Sequence, residues 1–232
     1  MLLATCLRTL TRSDVDVLVV DDGSPLGDET LKVAADHGVE FVARSDNGGF
    51  SKAVNVGLQR ALDEGCDAVL VNSDVEFTED GWLEAMQATD AQVVGALLLY
   101  PFGRVQSAGS YFSALTRGWQ HRFHWAPRDV EELHVEAECP CTAALQLVRL
   151  EALEQVGLYD EEFRLAFEDV DHALRVFDAG GRCVYQPRAV AVHHEHATRG
   201  DGAMSEMELA SWKLLYRKYD GRDLSRFEWP PR

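Results

Sequence analysis

Short β-branched runs alternate with amphipathic segments along the first hundred residues, and this alternation restricts the possible fold more than any other feature. VDVLVVDD (15–22), VEFVAR (39–44), DAVLVNSD (67–74) and VVGALLLY (93–100) read as strands, buried enough to be nearly continuous in apolar character. Between them, residues 30–37, 50–64 and 80–88 read as helices, the second offering Ala53, Val56, Leu58 and Ala61 to a sheet. Strand–helix alternation of this kind implies an α/β fold, with a mostly parallel sheet flanked by helices.

Past residue 100 the pattern changes. Residues 101–138 are rich in glycine, aromatic and charged residues without a clear period, and read as a looped or hairpin-bearing insertion. Regular structure returns as a strand at 143–149, helices at 150–156 and 168–179, and a strand at 182–192. A helix at 205–219 and an aromatic, proline-bearing end complete the chain. At 232 residues this suits one large domain over 1–200 with a C-terminal helical extension over 201–232.

Charge narrows the partners. Thirty-nine acids against 22 bases give a net charge of −17, which repels phosphate backbones and argues against non-specific nucleic-acid binding. An anionic substrate would need local arginines or a divalent cation at its site. No apolar run approaches the ~20 residues that span a bilayer. The opening MLLATCLRTL is too short and polar for a signal peptide. Five cysteines form no CxxC pair, as expected of reduced thiols, so the expected location is cytoplasmic.

Ligands of open α/β sheets bind outside the carboxyl ends of the strands. Two strands end there in acids: Asp21 and Asp22 in VVDDGSP, and Asp74 in VLVNSDVEF. Each reads either as turn chemistry or as a ligand: one to accept hydrogen bonds from a base or ribose, the other to hold a hard cation. DNGGFSKAVN puts a Gly-Gly turn before a helix carrying Lys52 and Asn55, an arrangement that suits a phosphate. VAVHHEHATRG sets His193, His194 and His196 beside an acid just after a strand, where they read as structural or as metal ligands. FEDVDHALR crowds Glu168, Asp169 and Asp171 at a helix start. A helix N-terminus tolerates such charge through its dipole, and one of the acids can also serve as a general base.

In order, these segments resemble the GT-A-fold, family 2 glycosyltransferases, especially the rhamnosyl- and galactofuranosyltransferase-like branch. VLVVDDGSPLGDET resembles the nucleotide-binding strand and turn, DNGGFSKAVNVGL the helix that follows, and VLVNSDVEFTEDGWLEAM the degenerate DxD segment. GALLLYPFGRVQSAGSYF and the stretch from LVRLEALEQVGLYDEEFRLAFEDVDHALR to VAVHH resemble the loop and the acceptor-side half. The resemblance implies a donor half at about 1–100 and an acceptor half at about 101–200. It implies an inverting transfer from a UDP-, GDP- or dTDP-sugar to a carbohydrate, lipid-linked or protein acceptor. Asp21, Asp22, Asn47, Lys52, Asn55 and Asp74 would bind the donor. Asp74 and His193 would hold a divalent cation, Mn²⁺ or Mg²⁺. Asp169 would be the base, with Glu168 beside it to orient the acceptor.

The resemblance also has gaps. The family's usual first strand has no counterpart, since LLATCLRTL matches the helix after it. Asn72 stands where a first DxD aspartate often sits, and Ala143 where glycine is usual. An unpaired sheet edge at the gap would invite a partner, homo-oligomer formation included. Two other readings stay open: a non-catalytic binding or scaffold subunit with a weakened donor grip, and a sugar-phosphate nucleotidyltransferase, which would want a basic glycine-rich loop.

Overall fold

The computed structural model describes residues 2–10, 15–194 and 204–229. Helix α1 (Leu2–Thr9) precedes a β-α-β-α-β series: β1 (Leu18–Asp21), α2 (Gly27–Asp36), β2 (Glu40–Ala43), α3 (Phe50–Glu64) and β3 (Ala68–Val71). A two-residue strand β4 (Val75–Glu76), α4 (Trp82–Gln87) and β5 (Val93–Leu99) follow. The expected insertion carries β6 (Val105–Ser107), the hairpin β7 (Ser110–Ser113) and β8 (Gly118–His121), a 3₁₀ turn (Glu131–His134) and β9 (Ala137–Glu138). Then come β10 (Leu145–Val148), α5 (Leu150–Val156), α6 (Glu168–Asp178), β11 (Cys183–His193), α7 (Glu206–Lys218) and a 3₁₀ turn (Ser225–Phe227).

The main sheet runs β3-β10-β5-β11-β4, with β6 on β5 and β9 on β11. Strands β5 and β11 pair in parallel, and β3 points the same way because β10 lies antiparallel between β3 and β5. Every residue of β5 is buried, which explains its unbroken apolar sequence: helices cover one face and the insertion the other. Strands β1 and β2 form a separate parallel pair. Helix α3 packs on both β1 and β3, so it bridges the two sheets. Among the described residues, no strand joins β1 to β3.

Two packed clusters support the carboxyl edge of the main sheet. One gathers Leu58, Leu153, Tyr159, Phe163, Leu174 and Phe177 under α3, α5 and α6, and reaches Leu215 of α7 and Phe227. The other gathers Phe77, Trp82, Met86, Leu98 and Leu145, with Cys6 of α1. At about 1.5–3 kcal/mol for each fully buried large apolar side chain, these clusters hold the strand ends rigidly enough to aim side chains.

Candidate active site

The two acids of VVDD serve the same region in different ways. Asp21, 7% exposed, accepts from the Ser24 N–H (3.0 Å) and shapes the turn after β1. Asp22 accepts from the main-chain N–H groups of Gly48 (3.0 Å) and Gly49 (2.7 Å) and from Arg44 Nε (2.8 Å). This corrects one expectation: the Gly-Gly amides do not form an open phosphate cradle, because an internal carboxylate already fills the role of the anion. Gly49 is needed for another reason. It sits at φ 95°, and a Cβ there would collide with the Arg164 carbonyl. The Phe50 N–H donates to that same carbonyl (2.8 Å) and Ser51 Oγ to the Phe163 carbonyl (2.5 Å), which docks α3 on the 159–164 loop.

Asn55 belongs to this brace. Its amide donates to the Tyr159 carbonyl (2.9 Å) and Glu161 (3.1 Å), and its oxygen accepts from the Tyr159 N–H (3.0 Å). Asn47 offers its carbonyl to Arg164 (3.0 Å). Lys52 lies alongside Gly48 and is half-buried. Of the expected donor residues around α3, Asn55 is thus occupied structurally, while Lys52 stands at the first turn.

A second group assembles where β3 and β11 end and β4 begins. His193 pairs with Val75 in the β11–β4 ladder, and its Nε2 stands 3.1 Å from Asp74 Oδ1. Asn72 Nδ2 approaches the same ring nitrogen at 3.4 Å. Burial raises the Asp74 carboxyl, but the hydrogen bond and charge of His193, a main-chain N–H and His194 outweigh it and hold the group below its ordinary range. His194 turns away to Glu76 (2.9 Å). His196 lies outside the described residues. Among those described, no three His, Cys, Asp or Glu side chains converge as metal ligands. Asp74 and His193 therefore offer a half-site, one oxygen and one nitrogen. That donor set suits a divalent cation whose remaining positions are filled by phosphate oxygens and water.

The cluster that opens α6 divides into separate roles. Asp171 is fully buried and accepts from Arg175 Nε (2.9 Å), Tyr219 Oη (2.8 Å) and Lys218 Nζ (2.7 Å), so it anchors the C-terminal segment. Glu168 is 6% exposed. Asp169 is half-buried; its Oδ1 accepts from the Val170 N–H (2.7 Å) and its Oδ2 from the Ala143 N–H (3.4 Å). Burial pushes the Asp169 carboxyl above the ordinary carboxylate range, against those main-chain donors and Thr142, which favour its ionised form. The chain reaches α6 through Ala166 (φ 66°) and Phe167 (φ 67°), two successive non-glycine residues in the left-handed region. Such backbone costs on the order of 1 kcal/mol or more per residue, and it persists here where it aims Glu168 and Asp169.

The turn 142–144 links Asp169 to the metal half-site. Ala143 donates to Asp169, and the neighbouring Ala144 carbonyl accepts from the Asn72 N–H (2.9 Å), two residues before Asp74. Thr142 carries no signal in the sequence, and Asn72 and Ala143 were visible only as departures from the family pattern.

The mixed α/β sheet flanked by helices is the GT-A fold of solved glycosyltransferase structures. The structure of GalNAc-T7 with UDP, GalNAc and Mn²⁺ superposes at a TM-score of 0.64 with 16% identity, over 89% of this chain and 42% of that one. The model of glycosyl transferase family 2 matches residues 2–152, and the chain belongs to that family. It is 29% identical over 222 residues to the N-acetylglucosaminyl-diphospho-decaprenol L-rhamnosyltransferase of Mycobacterium tuberculosis, covering 85% of this chain and 72% of the relative. It is 30% identical over 203 residues to the uncharacterized protein y4gI of Sinorhizobium fredii, covering 80% of this chain but only 22% of that protein. This chain therefore spans about a fifth of that relative and under half of the GalNAc-T7 chain.

Proposed function

We propose that this chain transfers a sugar from a nucleotide-sugar donor to an acceptor hydroxyl with inversion at the anomeric carbon. The observation that carries the reading is the linkage of Asp169 to the Asp74–His193 pair through the single turn 142–144. Asp74 and His193 would hold a divalent cation, which when bound supplies charge neutralisation to the donor's diphosphate. Asp169 accepts the proton of the acceptor hydroxyl as that oxygen attacks from the face opposite the nucleotide. Its raised affinity for protons suits this role, since a base poised nearer the working pH accepts the proton more readily. Glu168, beside it at the first turn of α6, orients the acceptor. Asp21 closes the turn that would meet the nucleoside.

Acceptor choice belongs to the insertion and the C-terminal segment. A cavity of about 310 Å³ lies between them, walled by Phe112, Trp119, Leu174, Tyr216 and Tyr219, surfaces suited to a sugar ring. The decaprenol-linked acceptor in the mycobacterial relative's name supports a lipid-linked acceptor over a protein one. A cytoplasmic setting is supported by five free thiols, Cys66 among them exposed. One observation favours a non-catalytic relative instead: among the described residues no strand joins β1 to β3, and α3 bridges the gap.

Thermal unfolding with UDP, GDP and dTDP, with and without Mn²⁺, tests the reading on wild type and Asp74→Ala. Binding to the native state adds about 2.7 kcal/mol at a hundredfold excess over Kd. A metal-dependent rise with one nucleotide, absent in Asp74→Ala, is the expected result and names the donor's base. No rise with any nucleotide favours the non-catalytic relative.

A further inference from the structure

Strand β6 contains an irregularity beside the candidate metal pair. Leu98 pairs with Ser107 and Leu99 with Val105, so Gln106 is an extra residue in the ladder, a β-bulge. Bulges re-aim a side chain, and this one sends a polar side chain inward: Gln106 is 3% exposed. Its Oε1 accepts from His193 Nδ1–H at 2.7 Å, and its Nε2 donates to the His193 carbonyl at 3.4 Å. The two contacts fix the amide's orientation, because the carbonyl of His193 can only accept. Nδ1 thus carries a proton, and Nε2 stands 3.1 Å from Asp74 Oδ1, where a hydrogen or a cation must lie between two atoms that otherwise only accept. The Asn72 amide, a donor, approaches the same nitrogen at 3.4 Å.

We propose that Gln106 is a positioning residue that locks His193 in the Nδ1–H tautomer, so that Nε2 is presented with Asp74 Oδ1 as a ready-made pair of cation ligands. The inference rests on the metal reading under Proposed function and deepens it. A partner on the second ring nitrogen sets both the tautomer and the orientation of a ligating histidine, and its loss typically weakens metal binding about 10–100-fold. A nitrogen ligand also matters more to Mn²⁺ than to Mg²⁺, which prefers oxygen alone. Removal of Gln106 should therefore cost Mn²⁺ affinity more than Mg²⁺ affinity.

Two measurements on the full chain test this. The first is the ¹⁵N signature of the His193 ring with Mg²⁺ and UDP, GDP or dTDP present, at a pH well above the ordinary imidazole pKa of about 6.5. Wild type should carry the proton on Nδ1, and Gln106→Leu should move it toward Nε2. A wild-type ring protonated on Nε2 overturns the proposal, whether or not any variant folds. The second is Mn²⁺ binding, followed by loss of the aqueous manganese EPR signal, with UDP, GDP or dTDP present. Gln106→Leu should bind Mn²⁺ about 10–100-fold more weakly, while Gln106→Glu, which can still accept from Nδ1–H, should stay close to wild type. Unchanged Mn²⁺ binding in folded Gln106→Leu, with binding lost in His193→Ala, overturns the proposal and leaves the metal site standing. Equal binding by wild type and His193→Ala instead overturns the metal reading, and the ring's proton position still decides what Gln106 does.

Discussion

At the residue scale, two acids of one helix turn have different environments. Asp171 is paired with Arg175 and Lys218 and accepts from Tyr219, so its oxygens are taken up structurally. Asp169, two residues earlier, is pushed by burial to hold its proton more tightly than an ordinary carboxylate, against main-chain N–H groups and Thr142. A base must be ionised to act, so the rate should fall on the acid side at a pH above the ordinary aspartate value of about 3.9. In Asp169→Asn transfer should fall by about 10²–10⁴-fold and the residual rate should lack that acid limb; a pH profile of kcat/KM for both proteins reads this directly. The stability effect has the opposite sense. A carboxyl with a raised folded pKa contributes stability at low pH, which is lost as pH rises through that value. Asp169→Asn should therefore unfold at a higher temperature than wild type at neutral pH, and an unchanged or lower Tm would count against a desolvated base.

At the scale of elements, α3 is aimed by its first turn. Asp22 holds Gly48 and Gly49 from one side, and the Phe163–Arg164 carbonyls hold Phe50 and Ser51 from the other. Gly49→Ala would place a methyl group against the Arg164 carbonyl at a backbone angle that disfavours it. The expected loss is about 2 kcal/mol or more, a fall in Tm of roughly 4–8 °C for a chain of this size. Calorimetry of the variant checks it. Nucleotide affinity should fall as well, because Lys52 leaves the same turn.

At the scale of the molecule, the C-terminal segment is pinned to α6 through one buried carboxylate. Lys218 bridges Asp171 and Asp160, and Tyr219 reaches Asp171 from the same turn of chain. Asp171→Ala leaves these groups facing a void, which should cost about 3 kcal/mol. The loss should be local before it is global, since segments held by few contacts open first. Limited proteolysis should release residues 204–229 from Asp171→Ala under conditions where the wild type stays whole and the main sheet stays protected. Equal cleavage of the two proteins would mean that the apolar contacts of Leu215 and Phe227 suffice to hold the segment.

The sequence by itself determined the α/β class, the helices at 50–64 and 150–156, and the strand end that carries Asp21. Each follows from local rules: a period of 3.6 or 2, β-branched runs, and acids where strands stop. Asp74 sits in the turn after its strand rather than on it, and His193 within its strand rather than past it. Tertiary structure decided which acids are free to react. Asp22 and Asn55 look like ligands in one dimension, yet their partners, Gly48 with Gly49 and Tyr159, lie 26 and 104 residues away. The bulge at Gln106 and the left-handed pair Ala166–Phe167 break the local preferences of their residues. Only the packing around them makes such conformations worth their strain, and packing is a property of the folded chain.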